Sequence, residues 1–226
     1  MISRGTHANK ELVGLAIAVT VFLAGCVSGQ ADAKYRAQDE STPSQPQQWA
    51  FDTDPDGELP AEAVAFSGDW AVRPEADAPS QPNALCQTAT AEFPALSLGE
   101  AIYADVVLST RFKPISGRTD QAAGLIFRVQ DKDNYYIVRA NALEGNVNLY
   151  KYAGGRRSGL KDGSAKVVAG QWQDLRVEVT GKQFRGFLDG QQVVEASDDT
   201  YQAGKVGLWT KADSVTCFDD VEAHTP

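Results

Sequence analysis

Histidine is nearly absent from this sequence of 226 residues. The chain has two, His7 and His224, and the second stands two residues from the C-terminus, where chains are usually frayed. Catalytic triads that depend on an imidazole, and metal sites built from several imidazoles, need ordered histidines. The sequence therefore argues against both kinds of site.

The apolar run near the N-terminus is too short to span a bilayer. Residues 12–23 would rise about 18 Å as a helix, against a hydrocarbon core of about 30 Å. The run follows Arg4 and Lys10 and ends in small residues, which is the layout of a secretory signal. A cleaved signal over residues 1–25 is therefore favoured over an uncleaved membrane helix.

The tetrapeptide Leu23-Ala24-Gly25-Cys26 resembles the lipobox of bacterial lipoproteins, whose cysteine is acylated and becomes the mature N-terminus. The resemblance implies an anchor at Cys26, because each buried methylene of an acyl chain adds about 0.8 kcal/mol. In lipoproteins of Gram-negative bacteria an Asp after the cysteine favours the inner membrane. Val27 therefore implies a lipid-anchored protein of the bacterial outer membrane, with an ordinary secretory signal as the alternative.

Residues 26–50 have almost no apolar side chains to bury. Their Gln-, Ser- and Pro-rich composition predicts a disordered tether that begins at the acylated cysteine. Such a tether would have a root-mean-square span of roughly 25 Å, which lifts a domain clear of the headgroups. Residues 51–226 are then one folded domain of ordinary size.

Positive charge is scarce in this acidic chain. The sequence has 30 acidic and 21 basic residues, a formal net charge of −9, and loss of the signal makes it more acidic. An acidic surface repels phosphate backbones and anionic headgroups, which disfavours nucleic-acid binding and a peripheral membrane mode. We expect a monomer whose membrane contact is made by the lipid alone.

Cysteine is also scarce. Besides Cys26 the chain has Cys86 and Cys217, which lie near opposite ends of the predicted domain. In an oxidising envelope, an even number of remaining cysteines suggests a disulfide that joins an early strand to the last one. Two buried thiols are the alternative. The bond would close a loop of about 130 residues and contribute about 4–5 kcal/mol in the chain-entropy model. A catalytic cysteine is disfavoured, since no histidine is there to activate it.

Residues 51–226 contain no segment with a convincing helical period. Apolar alternation and β-branched residues recur between short turns, such as those at residues 131–134 and 189–190. The predicted strands cover residues 102–111, 124–129, 135–141, 147–152, 172–179, 184–188, 192–196, 205–210 and 215–222. Strands spaced in this way predict an all-β fold, a two-sheet antiparallel sandwich or a barrel.

Several of these segments carry a family resemblance. They are residues 124–128, 133–139, 149–150, 171–177, 187–190, 204–209 and 218–221. Their order and spacing resemble the concanavalin A-like jelly-roll superfamily, in particular its laminin-G-like and 3-keto-disaccharide hydrolase-related domains. The resemblance implies two packed antiparallel sheets that typically bind carbohydrate on a concave face or its rim. It leaves the activity open, because lectins, glycosidases and binding modules share this fold.

Strand alternation predicts which side chains face away from the core. With the intervening apolar residues inward, one outward surface carries Arg128, Tyr135, Arg139, Tyr150 and Trp209. Aromatic rings stack on pyranose faces and guanidinium groups donate to hydroxyls, so these residues are candidate carbohydrate ligands. The alternative is that they are ordinary strand residues and cross-strand ion-pair partners.

The loop at residues 154–159 is basic in an otherwise acidic protein. Its Arg156 is a further candidate ligand, which would grip an anionic glycan at the edge of the cleft. An exposed hairpin tip is the alternative explanation.

Enzymatic motifs are missing. Retaining laminarinase-type glycosidases of this fold carry Glu-x-Asp-x-x-Glu along one strand, which holds two carboxylates about 5 Å apart. The nearest match is Glu75-Ala76-Asp77, where Ser80 replaces the second glutamate. A non-catalytic carbohydrate-binding module is therefore the leading hypothesis. Hydrolysis of a keto-disaccharide comes second, and a structural domain that recruits proteins through a sheet edge comes third.

Paired aspartates on the last predicted strand raise the question of calcium, which prefers several oxygen ligands. Related jelly-roll modules often use an Asp at this point for a structural ion, so Asp219 and Asp220 are candidate ligands for one calcium ion. Hydrogen bonding of these carboxylates to neighbouring backbone is the alternative.

Overall fold

The computed structural model of the chain describes residue 43 and residues 45–226. These residues form fifteen β-strands and no helix. Among them, no helix has the length and hydrophobicity that a membrane crossing needs. The predicted signal at residues 1–25, the lipidated Cys26 and most of the predicted tether lie outside the described residues.

The strands follow one another along the chain with short connections. The first eight are β1 (Gln47–Trp49), β2 (Ala63–Ser67), β3 (Trp70–Pro74), β4 (Asn83–Gln87), β5 (Ala95–Tyr103), β6 (Val106–Ser116), β7 (Ala122–Asp131) and β8 (Asn134–Asn141). The other seven are β9 (Asn146–Ala153), β10 (Arg156–Ser164), β11 (Gln173–Thr180), β12 (Gln183–Leu188), β13 (Gln191–Ser197), β14 (Gly204–Trp209) and β15 (Val215–His224).

Two antiparallel sheets make up the sandwich. The eight-stranded sheet has the order β13-β12-β11-β6-β15-β4-β3, with β1 also paired to β15, and the seven-stranded sheet has the order β10-β9-β8-β7-β14-β5-β2. Several spatial neighbours are distant in sequence, which is the mark of jelly-roll connections. The predicted all-β, two-sheet antiparallel jelly roll is confirmed.

The main core lies between the two sheets. Leu108 and Leu175 of the eight-stranded sheet meet Leu125, Val138 and Leu208 of the seven-stranded sheet in one apolar cluster, and all five are fully buried. Each large apolar side chain buried in this way contributes about 1.5–3 kcal/mol relative to exposure. Alternate residues of each strand face this core, as the sequence pattern predicted.

The folded domain begins earlier than residue 51. Gln47 pairs with Ala223 and Trp49 with Val221, so the last residues of the predicted tether are the strand β1. Trp49 is buried, and its indole nitrogen donates to Glu62 at 3.2 Å. The gain from burying this side chain explains why the polar segment becomes ordered here.

A disulfide joins the two remaining cysteines. Cys86 of β4 and Cys217 of β15 are direct partners in the register, with their Cα atoms 4.0 Å apart. The prediction of a bridge between an early strand and the last one is confirmed.

Candidate functional site

The seven-stranded sheet presents a face that points away from the main core, here called the outer face. The register places Arg139 beside Gly124 and Gly124 beside Trp209, across β8, β7 and β14. Tyr150 is on the same face, because it pairs with Ile137, two residues from Arg139. The outer face carries Tyr135, Arg139, Tyr150 and Trp209, so the sequence pattern brings together four of the predicted ligands.

One half of the outer face is aromatic. Phe93, from the loop between β4 and β5, stacks on Trp209 with ring centroids 5.6 Å apart. Tyr135 stacks on Tyr152 at 4.8 Å, and Phe93 meets Tyr152 edge-on. Trp209 is 0% exposed. It therefore faces outward as predicted, but Phe93 covers it, and a sugar ring has no access to its face.

Gly124 makes room for that tryptophan. A Cβ atom at position 124 would lie 3.2 Å from Cε3 of Trp209 and 3.1 Å from the carbonyl oxygen of Val138. Both contacts are tighter than side chains normally accept, so the indole packs down on the strand because residue 124 has no side chain.

Arg157 lies over the aromatic half. Its guanidinium carbon is 4.5 Å from the ring centroid of Tyr150, 5.1 Å from that of Phe93 and 5.7 Å from that of Trp209. The predicted residue, Arg156, is exposed and does not join this contact. The reason is alternation: Arg157 pairs with Tyr152 on the outer face, and its neighbour points the other way.

Arg128 is not on the outer face, and the prediction that it shares a surface with Arg139 is wrong. The pairing of β7 with β8 shifts register after Phe127, and Arg128 has a φ of 49°, so the alternation breaks at this residue. The guanidinium is 2% exposed and donates to the carbonyl oxygens of Ala104, Gly181 and Tyr201. Arg128 holds three loops together.

The other half of the outer face is polar, and Arg139 is its centre. Through Nη2, Arg139 donates to Glu144 Oε2 at 2.8 Å and to Asn146 Oδ1 at 2.6 Å. Asn146 donates to the same glutamate oxygen at 3.0 Å. The arginine is 1% exposed, whereas the glutamate side chain is 41% exposed. A buried cation therefore fixes an accessible carboxylate and amide.

Asp120 forms the wall of the polar half. Lys211 lies 2.7 Å from its Oδ2, Asn141 donates to its Oδ1 at 2.5 Å, and Arg139 is 4.0 Å away. The carboxylate is 1% exposed and is shared among these donors. The neighbouring Asp213 accepts from the backbone nitrogen of Asp120, and also from those of residues 118 and 119. Asp213, in the loop between β14 and β15, thus holds Asp120 in place.

Tyr150 links the two halves. Its hydroxyl accepts from Asn148 Nδ2 at 2.9 Å, and Arg139 lies 5.5 Å from its ring centroid, on the polar side. A depression of about 360 Å³ adjoins this point. It is lined by Glu144, Gly145, Asn146, Asn148, Asp162, Gly163 and Ser164. The lining offers both donors and acceptors at close spacing, which suits a polyhydroxylated ligand.

The electrostatics of this half keep Glu144 ionised. The hydrogen bond from Arg139, together with that from Asn146, lowers the pKa of Glu144 to about 2, although partial burial opposes the change. In the aromatic half, burial raises the pKa of the Tyr135 hydroxyl above its ordinary value. At neutral pH the outer face therefore carries an ionised acceptor at one end and a neutral phenol at the other.

Sequence reasoning missed Asp120, Glu144 and Arg157 as site residues. Asp120 and Glu144 lie in connecting loops, where strand alternation says nothing about direction. Arg157 lies in the segment interpreted as a basic loop at residues 154–159, and no strand was predicted there. The direction of its side chain follows from strand alternation only once β10 is known.

The two predicted calcium ligands, Asp219 and Asp220, differ in their surroundings. Asp219 is buried and accepts from Ser80 N at 2.8 Å, from Ser80 Oγ at 2.9 Å and from Asp220 N at 2.8 Å. Burial raises its pKa despite these bonds. Asp220 is exposed. Within residue 43 and residues 45–226 no three His, Cys, Asp or Glu side chains are grouped as metal ligands. The contacts of Asp219 fit the alternative of backbone hydrogen bonding, and calcium stays a prediction.

Comparison with known families gives one match that covers most of the domain. The profile of the 3-keto-alpha-glucoside-1,2-lyase-like domain matches residues 67–223. Among curated proteins, the levanase of Bacillus subtilis (strain 168) is 29% identical over 104 residues. That alignment covers 44% of this chain and 15% of the levanase, so the likeness is to a small part of the larger protein.

Solved structures show the same fold at low identity. The carbohydrate binding module CBM66 from Bacillus subtilis has a TM-score of 0.63 and 20% identity, covering 73% of this chain and 96% of the module. A putative glycosyl hydrolase from Parabacteroides distasonis ATCC 8503 has a TM-score of 0.53 and 17% identity, over 80% of this chain and all of the other. The β-glucanase of Bacillus licheniformis has a TM-score of 0.56 and 11% identity, over 82% of this chain and all of the enzyme.

Proposed function

The chain belongs to the 3-keto-alpha-glucoside-1,2-lyase-like domain family, and from this premise we propose that its β-sandwich binds carbohydrate on the outer face of the seven-stranded sheet. One observation carries the proposal: the buried Arg139 holds Glu144 and Asn146 at the surface, beside the ring of Tyr150. The structural likeness to a carbohydrate binding module agrees with this choice of ligand class.

Fixed polar groups favour sugar binding for an energetic reason. A hydroxyl group both donates and accepts, so a sugar needs carboxylate or amide oxygens and N–H donors held at close spacing. Here Glu144 and Asn146 already have one conformation before a ligand arrives, because Arg139 and their mutual hydrogen bond fix them. Little side-chain entropy remains to be lost on binding.

Isothermal titration of the full chain tests the proposal, with levan and a panel of other neutral polysaccharides as probes. We expect a saccharide to bind, and Glu144→Gln to weaken that binding by about tenfold, since a charge-assisted hydrogen bond is lost. Glu195→Gln is the matched control, because Glu195 is exposed on β13 of the other sheet. Equal affinity of the two variants would place the binding face elsewhere.

Elimination from a 3-keto-glycoside is the second candidate, since the family description names a 1,2-lyase. In such a reaction a base takes the proton from C2, next to the ketone, while the C1–O bond breaks and its electron pair leaves with the oxygen. A carboxylate with a pKa of about 2 is a weak base at neutral pH. Glu144 therefore suits ligand binding better than proton abstraction.

Asp162, which is exposed, is the other carboxylate that lines the depression beside Glu144. Incubation of the chain with 3-keto-glycosides, followed by absorbance of the conjugated enone, tests for turnover. Turnover that Asp162→Asn abolishes, with binding retained, would favour the lyase over the binding module.

The motif around Cys26 bears on where the protein is located. We propose that Cys26 is acylated and that the domain is displayed from the bacterial outer membrane, which rests on the Leu23-Ala24-Gly25-Cys26 motif. Labelled palmitate should be incorporated into the chain in bacterial cells and lost in Cys26→Ser. Membrane fractionation on a density gradient then distinguishes the outer from the inner membrane.

A further inference from the structure

We propose that Arg157 binds the carboxylate of an acidic sugar residue, so that the ligand is a uronate-containing saccharide. This inference rests on the carbohydrate-binding function proposed above and specifies its ligand class. It comes from the surroundings of Arg157, which differ from those of the other arginine on the outer face.

The guanidinium of Arg157 is held in a fixed position. It contacts the rings of Tyr150, Phe93 and Trp209, with 4.5 Å, 5.1 Å and 5.7 Å to the three centroids. Cation–π contacts of this kind orient a guanidinium without occupying its hydrogen-bond donors. The side chain is therefore pre-positioned by contacts that use none of its hydrogen-bond donors.

Among the described residues, Nη1 of Arg157 is buried against the aromatic half without a hydrogen bond, although the side chain as a whole is only half-buried. Within the part of the chain that the structure describes, no carboxylate lies within ion-pair distance of Arg157, whereas Arg139 has Glu144 at 2.8 Å. A partly buried cation without a counter-charge is uncommon, because losing water without gaining a partner costs free energy. An anionic group of the ligand would supply that partner.

The position of Tyr150 identifies what kind of anion fits. Arg157 and Arg139 lie 4.5 Å and 5.5 Å from the centroid of the same Tyr150 ring. Tyr150 itself is buried, so a ligand at the surface above it would have Arg157 on one side and Glu144 and Asn146, held by Arg139, on the other. It must combine one negative group with hydroxyl groups, which is the chemistry of a uronic acid. A planar carboxylate also matches the fork of a guanidinium.

The net charge of the whole chain limits which acidic saccharides are expected to bind. At a formal net charge of −9, the protein repels densely charged polyanions over long range. A saccharide with isolated carboxylates suffers less from this repulsion than one with a charge on every residue. We therefore expect a mixed glycan with some uronate residues to bind better than a polyuronate of equal length.

Titration of the full chain with paired ligands tests the inference. The probes are glucuronate- and galacturonate-containing tetrasaccharides and the same compounds after reduction of the carboxyl group to the alcohol. We expect the acidic form to bind about tenfold tighter than its reduced form, and this advantage to shrink with added NaCl. Arg157→Gln should bring the two affinities together.

Arg156→Gln is the matched control, because it removes the same charge from the adjacent, exposed residue of the hairpin. The ratio of acidic to reduced affinity should stay unchanged in this variant. Arg157→Lys, which retains the charge and loses the fork, should give an intermediate ratio. A thermal melt of each variant shows whether the domain is still folded.

Three results would overturn the inference. Equal binding of acidic and reduced forms by the wild-type chain would leave carbohydrate binding standing and remove the role of Arg157. An equal loss of both forms in Arg157→Gln would mean that the guanidinium only packs on the rings. Absence of binding to every acidic and neutral saccharide would overturn this inference and the proposed function together.

Discussion

Arg139 is almost completely buried, yet the carboxylate that it holds, Glu144, is 41% exposed. The 2.8 Å hydrogen bond between them therefore joins the interior of the domain to its surface. Removing Glu144 leaves a buried positive charge with one partner fewer, which is costly, whereas removing Arg139 leaves a carboxylate that water can still solvate. The two residues should thus respond differently to substitution.

Acid should weaken the domain through Glu144. Its folded pKa of about 2 lies below the ordinary 4.5, so its contribution to stability is present above pH 4.5 and is lost as the pH falls towards 2. We expect Glu144→Gln to flatten this part of the curve of unfolding free energy against pH. Urea denaturation between pH 2 and 6 measures the unfolding free energy of both proteins. The same dependence on pH in Glu144→Gln as in the wild type would contradict the role given to Glu144.

Tyr136 should matter for stability more than its apolar surroundings suggest. Its hydroxyl donates to Asp198 at 2.5 Å and accepts from the backbone nitrogen of Tyr201. Burial and the bond to Asp198 raise its pKa to about 12, although the bond from Tyr201 opposes the change. Tyr136→Phe should cost about 1–3 kcal/mol, because the partly buried Asp198 and the backbone nitrogen of Tyr201 lose a hydrogen bond. Tyr103→Phe is the control, since the Tyr103 hydroxyl makes only one long hydrogen bond among the described residues, to the carbonyl oxygen of Ala223 at 3.5 Å. Equilibrium urea unfolding of both variants gives the comparison.

The disulfide should stabilise the domain strongly. Cys86 and Cys217 are 131 residues apart, so the bond restricts a large part of the unfolded chain. The chain-entropy model gives about 4–5 kcal/mol for such a loop, and strain in the folded state would reduce it. Denaturation of the double variant Cys86→Ala, Cys217→Ala against the oxidised wild type tests this value. A loss below 1 kcal/mol would show that the unfolded chain is already compact.

Trp209→Ala should behave as a folding variant. The indole is fully buried under Phe93 and lies directly on Gly124, so its removal leaves a cavity that costs about 3–5 kcal/mol. Phe93→Ala should cost less, because Phe93 is only partly buried. Melting temperatures of the two variants test the order, and a larger loss for Phe93→Ala would contradict it.

Calcium binding can be tested with the same method. Both carboxylate oxygens of Asp219 already accept hydrogen bonds from Ser80, and calcium normally takes six to eight oxygen ligands. We therefore expect melting temperatures in calcium and in a chelator to agree within about a degree. A rise in calcium that Asp219→Asn abolishes would establish the site.

The fold was predictable from the sequence because alternation and turn residues act locally. The same alternation placed Arg139, Tyr150 and Trp209 on one face, where unbroken pairing keeps every second residue in line. It failed at Arg128, where a register shift changes the direction of the side chain. The burial of Trp209 was not predictable either, since Phe93 reaches it from a loop between other strands. Contacts of loops with a face depend on the tertiary structure alone.

The pairing of β1 with β15 has a mechanical consequence. Gln47 lies beside Ala223, near the last residue of β15, whereas Asp213 and the loop that carries Asp120 adjoin its first residue. Tension on the chain that precedes Gln47 would thus act at the end of the sandwich away from Asp120. It would first separate the three residues of β1 from β15 and release roughly 10 Å of chain. The disulfide between Cys217, farther along β15, and Cys86 of β4 would then carry the force across a covalent bond.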